Sequence, residues 1–554
     1  MVNFQAPGNT GYTYDDAGRL HSVTDVHGKT ITYSYNDCGL RSGWTDQFSG
    51  TVSFTYNNMH QLTSMTDRNN ETTTFEYDAT YKWLKKITRA NGTYTNLWYS
   101  NRHFPTSVAH KKSDGTGLRG YTYTYDSAGN PTQIKQGNND HWDFTYDNVY
   151  QLTGESKTLA SGTPVYGITY TYDNVGSRLT KVQDGQTTTY TYNNMNEMTA
   201  AGSATFTYDS NGNTASKTES QQTTNYNWDY ENRLTKIDNP SGDDYVYEYD
   251  GDGMRVRSGH DSGQGNVWDT RFYYDTAAPL YAYLFESDDA KNMTVAYTID
   301  PSGGLISQRR NSATSYYHYD ALGSTRLLTD ASQNVSDTYD YYAFGETQSS
   351  SGSTPNPFKF VGRLGYYDGP STDFQYLRAR YYAPAYGCFW SGDPLVSAPR
   401  RYGYASGRPL LARDPTGLQT FLPPDPAECE ALCIALNKCN QLDPFMRTRC
   451  VLACQITCGT RIPGDPSLPP LIICPDDRYC TCTLFYDYGC TCWRFNLDCN
   501  YPIGGGCYIT LPIHLPGPPC IGIGCKQPGW GCEFVWDPAD RKWEFKCGIR
   551  YPFG

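Results

Sequence analysis

The sequence predicts an all-β protein made of repeated antiparallel hairpins, followed by a small cysteine-rich domain. Three observations support this prediction. The 554 residues include 50 tyrosines and only 18% charged residues, and a composition rich in Tyr, Thr and Gly favours strands and turns. A Tyr-Asp phrase returns throughout the first half of the chain. Of the 19 cysteines, 17 lie after residue 418, which indicates a second domain of another kind.

The Tyr-Asp phrase marks a structural repeat. A spacing of roughly 21 residues with occasional insertions is typical of architectures whose units stack into one continuous core. The last aromatic residue of each phrase falls at Tyr14, Tyr35, Tyr56, Tyr77, Tyr99, Tyr125, Tyr146, Tyr172, Tyr192, Tyr208, Trp228 and Tyr249.

Each repeat is predicted to form a β-hairpin. In one of them, Ile168 to Tyr172 alternates tyrosine with threonine, a small turn follows at 174–176, and a second strand runs from Arg178 to Val182. The Asp after the last tyrosine is expected to accept backbone N–H groups in the turn, which is a structural role. Recurrence in every repeat favours packing for the tyrosines, with sugar binding as the alternative.

A second, non-periodic set of motifs follows the repeats. The sequence reads YYHYDALGSTRLLTD at 316–330, DYYAFGE at 340–346, NPFKFVGR at 356–363, QYLRARYYAPAYGCFWSGDP at 375–394 and YGYASGRPLLARDPTGL at 402–418. These motifs resemble the RHS repeat-associated core domain, and the Tyr-Asp phrases resemble the YD or RHS repeats of bacterial Rhs toxins, Tc toxin C subunits and teneurins. The resemblance covers roughly residues 10–418.

The resemblance implies a fold and a domain order. Members of this family wind their hairpins spirally into a hollow β-shell around a cargo polypeptide. The expected domains are YD/RHS repeats at 1–305, the core domain that plugs the shell at 306–418, and a C-terminal domain at 419–554. Because about 400 residues are few for a complete shell, we expect an open shell or one completed by another chain.

The resemblance also implies a reaction. The core domain of the family is an intramolecular aspartic protease that cuts once after the Leu of a DPxGL motif, which here places the scissile bond at Leu418–Gln419. The two carboxylates would be Asp393 and Asp414. Two nearby carboxylates can divide the roles of acid and base. Without the resemblance, both Asp-Pro steps would be interpreted as ordinary turns.

Nearby arginines are candidate supports for these carboxylates. Arg378 and Arg380 match the family pattern and would orient the carboxylates or brace the core domain. Ala383 and Cys388 stand where the family has Asp and Arg, a departure that argues against a retained protease. Arg413, beside Asp414, is the candidate replacement for the missing arginine.

The cysteine-rich tail predicts a disulfide framework in an oxidising compartment. Cys429, Cys433, Cys450, Cys454 and Cys458 are spaced for two helices that form a stapled hairpin, and Cys480, Cys482, Cys490 and Cys492 for a β-hairpin. The pairs Cys433–Cys450 and Cys429–Cys454 are one connectivity among several. A last strand pair would turn at residues 537–540. Metal binding is the rival interpretation, but the tail has one histidine and no paired CxxC knuckles.

Several classes of function are disfavoured. A net charge of −12 argues against nucleic acid as a partner of the whole surface, and no apolar run approaches the ~20 residues of a membrane span. The start, MVNFQAPGNT, lacks the parts of a signal peptide, which leaves an internal start, a processed start or signal-independent export. The tail shows no catalytic or cofactor-binding motif, so we expect no cofactor and at most a single-turnover protease.

Three functions remain open for an extracellular or cell-surface protein. The first is a toxin-like shell that cuts itself and carries the tail as cargo. The second is a non-enzymatic scaffold or adhesion module with the tail as cap or assembly contact, involving other copies or a shell-completing chain. The third is carbohydrate binding, with cell-surface glycans as partners of the tyrosine-rich surface.

Overall fold

The computed structural model describes residues 8–242, 244–261, 263, 265–369, 374–394, 401–418 and 420, and the backbones of six strands between 480 and 549. The chain forms two compact units, Met1–Ala427 and Glu428–Gly554. In the first unit, 32 antiparallel strands form one sheet, which confirms the predicted all-β fold class. Among the described residues, no helix has the length and apolar character needed to cross a membrane.

The strands of the large sheet follow the repeats. They are β1 (Gly11–Tyr14), β2 (Leu20–Thr24), β3 (Thr30–Tyr35), β4 (Arg41–Thr45), β5 (Thr51–Tyr56), β6 (Leu62–Thr66), β7 (Thr72–Tyr77), β8 (Leu84–Thr88), β9 (Tyr94–Tyr99), β10 (Pro105–Lys111), β11 (Gly117–Tyr125), β12 (Pro131–Gln136), β13 (His141–Tyr146), β14 (Leu152–Thr158), β15 (Pro164–Tyr172), β16 (Arg178–Gln183), β17 (Gln186–Tyr192), β18 (Met198–Ala201), β19 (Ala204–Tyr208), β20 (Thr214–Glu219), β21 (Gln222–Trp228), β22 (Leu234–Asp238), β23 (Asp244–Tyr249), β24 (Arg255–Asp261), β25 (Asn266–Asp275), β26 (Ala282–Ser287), β27 (Met293–Ile299), β28 (Leu305–Arg310), β29 (Ala313–Tyr319), β30 (Thr325–Thr329), β31 (Val335–Tyr341) and β32 (Thr347–Ser351). The sheet therefore continues past residue 305, where the repeats were predicted to end, and the domain boundaries stay a prediction.

Each hairpin has the predicted alternation of faces. In β15, Ile168 and Tyr170 are buried, whereas Thr169 and Thr171 are exposed. The register with β16 shifts by one residue just before the last tyrosine, a β-bulge that bends the strand toward the turn. The buried face carries the large apolar side chains, so each hairpin stabilises the sheet only when another layer covers that face.

The last aromatic residue of each repeat links it to the repeat before. The Tyr172 hydroxyl donates to the carbonyl of Leu152, the first residue of β14, at 2.7 Å. The same bond joins Tyr35 to Leu20, Tyr56 to Arg41, Tyr146 to Pro131, Tyr249 to Leu234 and, through its indole nitrogen, Trp228 to Thr214. The tyrosine of the phrase is thus a repeated connector between neighbouring hairpins.

The aspartate of the phrase shapes the turn, as predicted. One side-chain oxygen of Asp173 accepts the N–H groups of Val175 at 2.9 Å and Ser177 at 2.8 Å. The backbone carbonyl of Asp173 accepts the N–H of Gly176 at 3.1 Å, and Gly176 has a φ of +88° that favours glycine. These aspartates are structural residues.

Later strands cover the buried face of earlier strands. The Tyr33 hydroxyl and the Arg41 guanidinium bind Asp275 at 2.9 and 2.5 Å, and Arg119 binds Asp340 at 2.5 Å. All six residues of β26 are buried, because this strand belongs to an inner layer covered on both faces. The single sheet therefore coils back on itself within the first unit.

Two buried histidines lie where these layers meet. The rings of His110 in β10 and His318 in β29 are 5.1 Å apart, and each bonds a threonine hydroxyl, His110 that of Thr95 and His318 that of Thr329. The guanidinium of Arg89 also donates to Thr95, at 2.9 Å. Burial and the charge of Arg89 lower the pKa of His110 to about 3 and hold the pKa of His318 well below its usual value.

This pair is expected to make the fold acid-sensitive. Unfolded imidazoles titrate near pH 6.5, so the neutral pair stabilises the fold fully above about pH 6.5, and this contribution is lost as the pH falls toward 3. The wild type should lose up to about 1.4 kcal/mol more per pH unit for each histidine than a His110→Asn, His318→Asn double variant. Urea unfolding between pH 7.5 and 4.5 measures both slopes. Equal slopes would contradict this linkage, since all other titrating groups are shared.

A compact module follows β32 and packs inside the first unit. Its sheet contains β33 (Tyr367–Asp368), β34 (Gln375–Leu377), β35 (Arg380–Ala383) and β36 (Cys388–Phe389), with 3₁₀ turns at Gly362–Leu364 and Ala405–Gly407. Trp390 anchors the module against the repeats through edge contacts with Phe206 and Tyr226, at ring distances of 5.6 and 5.9 Å. The module thereby holds the candidate site against the sheet.

In the second unit, the described segments are strands. β37 (Cys480–Asp487), β38 (Cys492–Tyr501), β39 (Gly505–Ile513) and β40 (Gly522–Cys525) form one sheet, and β41 (Trp530–Asp537) pairs with β42 (Lys542–Ile549).

β37 and β38 pair as an antiparallel hairpin, in which Asp487 lies opposite Cys492 and Cys480 lies opposite Cys499. Cys490 and the cysteines of the predicted helices, Cys429, Cys433, Cys450, Cys454 and Cys458, lie outside the described residues, and the disulfides stay a prediction.

Candidate active site

The core module brings three of the predicted site residues together. Nη2 of Arg380, in β35, lies 2.9 Å from a carboxylate oxygen of Asp393 and 3.3 Å from one of Asp414. The two aspartates are 21 residues apart in sequence; both follow β36, and the 3₁₀ turn at Ala405–Gly407 lies between them. One guanidinium nitrogen therefore bridges both predicted carboxylates.

This cluster is shielded from water. Asp414 is 1%, Arg380 3% and Asp393 6% exposed. The Arg380 guanidinium lies 3.6 Å from the centre of the Phe389 ring, a cation–π contact that fixes its plane. Burial lowers the pKa of Arg380, and the charges of Asp414 and Asp393 oppose this shift. Arg380 therefore holds the carboxyl groups of Asp393 and Asp414 in an environment shielded from water.

Asp414 forms the same turn as the aspartates of the repeats. One of its side-chain oxygens accepts the Leu418 N–H at 3.0 Å, and its backbone carbonyl accepts the Gly417 N–H at 3.2 Å. Gly417 has a φ of +71°, close to that of the repeat glycines. The predicted scissile bond thus follows directly on a turn of the repeat type, and the Asp414 carboxylate binds the N–H of Leu418, the residue on the N-terminal side of that bond.

The second oxygen of Asp414 distinguishes it from the repeat aspartates. In the first repeat, the second oxygen of Asp15 binds Arg19 of the same turn at 2.8 Å. Leu418 occupies the position equivalent to Arg19, so the second oxygen of Asp414 instead faces Arg380 from another element. A turn residue has thereby become part of a charged cluster.

Arg378 and Arg380 also hold the backbone of this turn. Arg378 donates to the carbonyls of Pro415 at 2.5 Å and Leu364 at 3.0 Å, and Nε of Arg380 donates to the carbonyl of Gly417. Arg378 itself has a φ of +63°, which a non-glycine residue adopts only when its surroundings impose it. The two arginines therefore fix the chain on the N-terminal side of Leu418.

Arg413 and Cys388 have different environments. The Arg413 guanidinium donates to the carbonyl of Leu322 at 3.2 Å, and burial and the charge of Arg363 lower its pKa. This partner is thus a carbonyl of a repeat turn, and the role of Arg413 as a replacement arginine stays a prediction. Burial raises the pKa of Cys388 to about 12, so this residue is a neutral thiol. Gln419 lies outside the described residues.

Sequence reasoning missed Tyr366. Its hydroxyl accepts the backbone N–H of Asp414 at 2.7 Å and lies 3.1 Å from the hydroxyl of Tyr404. Both tyrosines are at most 1% exposed. No sequence signal singles out Tyr366 among 50 tyrosines, because its partner is a main-chain group 48 residues away.

Known families match most of the described first unit. Residues 130–400 match the family model described as Teneurin YD-shell, and residues 14–46 and 56–94 match the RHS Repeat model. These ranges contain the hairpins, the inner layer and much of the core module.

Individual relatives match shorter stretches. The tRNA3(Ser)-specific nuclease WapA of Bacillus spizizenii is 32% identical over 186 residues, 32% of this chain and 8% of WapA. The toxin protein Tse5 of Pseudomonas aeruginosa is 35% identical over 111 residues, 19% of this chain and 8% of Tse5. A chain of the Photorhabdus luminescens Tc holotoxin pore superposes with a TM-score of 0.59 at 20% identity, over 72% of this chain and 21% of that chain. The matches thus span a small part of each relative, and the structural likeness shows the fold alone.

Proposed function

Because the chain belongs to the RHS-repeat family and has a teneurin-type YD shell, we propose that it cuts itself once, after Leu418. The cut separates the shell from the C-terminal domain of residues 419–554. The observation that supports this proposal is the Arg380 guanidinium between Asp393 and Asp414, with Asp414 bound to the N–H of Leu418.

The charge of the cluster suits acid–base chemistry. Two ionised carboxylates and one guanidinium leave one net negative charge in a buried site, and a single proton neutralises it. The proposed reaction uses one of the two carboxyl groups as the base and the other as the acid, the division of roles that peptide hydrolysis requires. The cation keeps the ionised carboxylate in place while the other carries the proton.

The hydrolytic step balances with these groups and one water. The ionised carboxylate takes a proton from water as the water oxygen attacks the Leu418 carbonyl carbon. The protonated carboxyl gives its proton to the nitrogen of Gln419 as the C–N bond breaks. The products are a carboxyl group on Leu418 and a new amino terminus at Gln419. Because Asp414 binds the N–H of Leu418, the carboxyl group and the bond to be cut belong to one turn, and the reaction gains the advantage of proximity.

The released domain is proposed to be the cargo of the shell. The family relationship to polymorphic toxins such as WapA and Tse5 supports a secreted or surface setting and an effector tail. The tail's own activity does not follow from these relatives, because each match covers 8% of the relative. Disulfides formed in an oxidising compartment would stabilise such a domain.

The chain as purified tests the proposal. Intact mass spectrometry under reducing, denaturing conditions should show two pieces, residues 1–418 and 419–554, with a new N-terminus at Gln419. Time points after synthesis give the rate of conversion. A single full-length chain at all times would reject self-cleavage and leave the scaffold or adhesion function as the better explanation.

A further inference from the structure

The repeat turns close their hairpins with one particular backbone hydrogen bond. The N–H of the turn aspartate donates to the carbonyl four residues later, from Asp15 to Arg19 at 2.8 Å and from Asp173 to Ser177 at 2.9 Å. The same bond closes the turns that begin at Asp126, Asp147, Asp209, Asp229, Asp250, Asp300 and Asp320. This hydrogen bond fixes the peptide plane of the fourth residue, and it is the first inter-strand hydrogen bond of the strand that follows the turn.

The turn at Asp414 departs from this rule. It retains the side-chain bond to the fourth residue and the bond from the third, but the Asp414 N–H donates to the Tyr366 hydroxyl at 2.7 Å. The fourth residue is Leu418, whose carbonyl is the group to be attacked. The Tyr366 hydroxyl therefore accepts the Asp414 N–H, the group that closes the hairpin in the repeats.

We propose that Tyr366 is a positioning residue for self-cleavage, which diverts the Asp414 N–H and so keeps the Leu418 carbonyl out of the hairpin ladder. This inference rests on the proposed function. A carbonyl in the ladder has its peptide plane fixed, whereas hydrolysis requires its carbon to become tetrahedral and its nitrogen to accept a proton. Release from the ladder therefore allows attack at this turn and not at the repeat turns.

The surroundings of Tyr366 suit this role. Burial raises the pKa of Tyr366 well above its usual value, with added effects of Tyr404 and Asp414, so the hydroxyl stays neutral and can accept an N–H. Its own proton can be directed to the Tyr404 hydroxyl, 3.1 Å away. Tyr366 thereby accepts from Asp414 and donates within the same buried pair.

Two phenylalanine variants separate positioning from packing. Tyr366→Phe removes the acceptor, and we expect cleavage to slow on the order of 10- to 100-fold, with an unchanged pH profile. Tyr382→Phe removes another fully buried hydroxyl of the core module, which donates to the carbonyl of Phe344, and its rate should stay within about twofold. Tyr366→His, whose ring nitrogen can accept the same N–H, should recover part of the rate.

The outcomes distinguish this inference from the proposed function. If the wild type is never cut, the proposed function fails. If the wild type is cut and Tyr366→Phe is cut equally fast, or Tyr382→Phe is slowed as much, the role of Tyr366 fails. Urea unfolding of each variant in an Asp414→Asn background checks the fold. A slow Tyr366→Phe variant whose unfolding midpoint falls well below that of Tyr382→Phe would also overturn the inference.

Discussion

An Asp414→Asn variant is expected to remain one full-length chain where the wild type separates into two pieces. The amide of Asn can still accept the Leu418 N–H through its oxygen, so the turn is kept. It can neither take a proton from water nor give one to the leaving nitrogen. Loss of one acid–base group lowers rates by about 10² to 10⁴, and denaturing mass spectrometry over hours to days measures the loss.

Asp173→Asn is the matched control for this variant. Asp173 makes the same turn, with its side chain on the N–H groups of Val175 and Ser177, but belongs to a repeat. The substitution should leave the cleavage rate unchanged and cost about 1 kcal/mol of stability or less. Cleavage of Asp414→Asn at the wild-type rate would show that another group performs the chemistry.

Replacement of Arg380 by Met should have the largest effect on the stability of the first unit. The variant leaves Asp393 and Asp414 buried without the cation that lies between them. Removing one partner of a buried ion pair costs about 3–5 kcal/mol, because the charge that remains is uncompensated. Urea unfolding measures this cost, and self-cleavage should fall with it, since Arg380 also binds the Gly417 carbonyl.

Arg378→Met provides the comparison within the same module. Arg378 is also buried, but its donors bind the carbonyls of Tyr281, Leu364 and Pro415 and no carboxylate in the described part of the chain. Its loss leaves carbonyl groups unpaired, at a cost of about 1–3 kcal/mol. If Arg380→Met were no more destabilising than Arg378→Met, the carboxylates would not depend on Arg380 for their charge balance.

The repeated half of the fold could be predicted because its rules are local. Tyr170 and Thr171 alternate along a strand, Asp173 accepts neighbouring N–H groups, and Gly176 provides a positive φ. The inner layer could not be predicted, because the pairing of Arg119 with Asp340 joins residues 221 positions apart. Many strands are hydrophobic enough to form the covering layer. Which strand covers which is decided only by the complete three-dimensional arrangement of the sheet.

In the candidate site, too, the sequence predicts some residues and leaves out others. The family motif pointed to Asp393, Asp414 and Arg380, and the structure places them in contact, although their catalytic role is untested. The direction of Arg413 depends on a carbonyl of the distant residue Leu322. The role of Tyr366 depends on a main-chain N–H, which leaves no pattern in a sequence.

Because each tyrosine connector links one hairpin to the hairpin before it, the sheet can change in length only by complete repeats. The hydroxyl of Tyr172 reaches only the preceding hairpin, at Leu152, and the next connector, Tyr192, reaches back only to Arg178. Insertion or deletion of one complete repeat therefore preserves the pattern of connectors, while loss of half a repeat breaks it. Shells of different circumference can thus arise by duplication of single hairpins, with the core module and its Asp414 turn carried along unchanged.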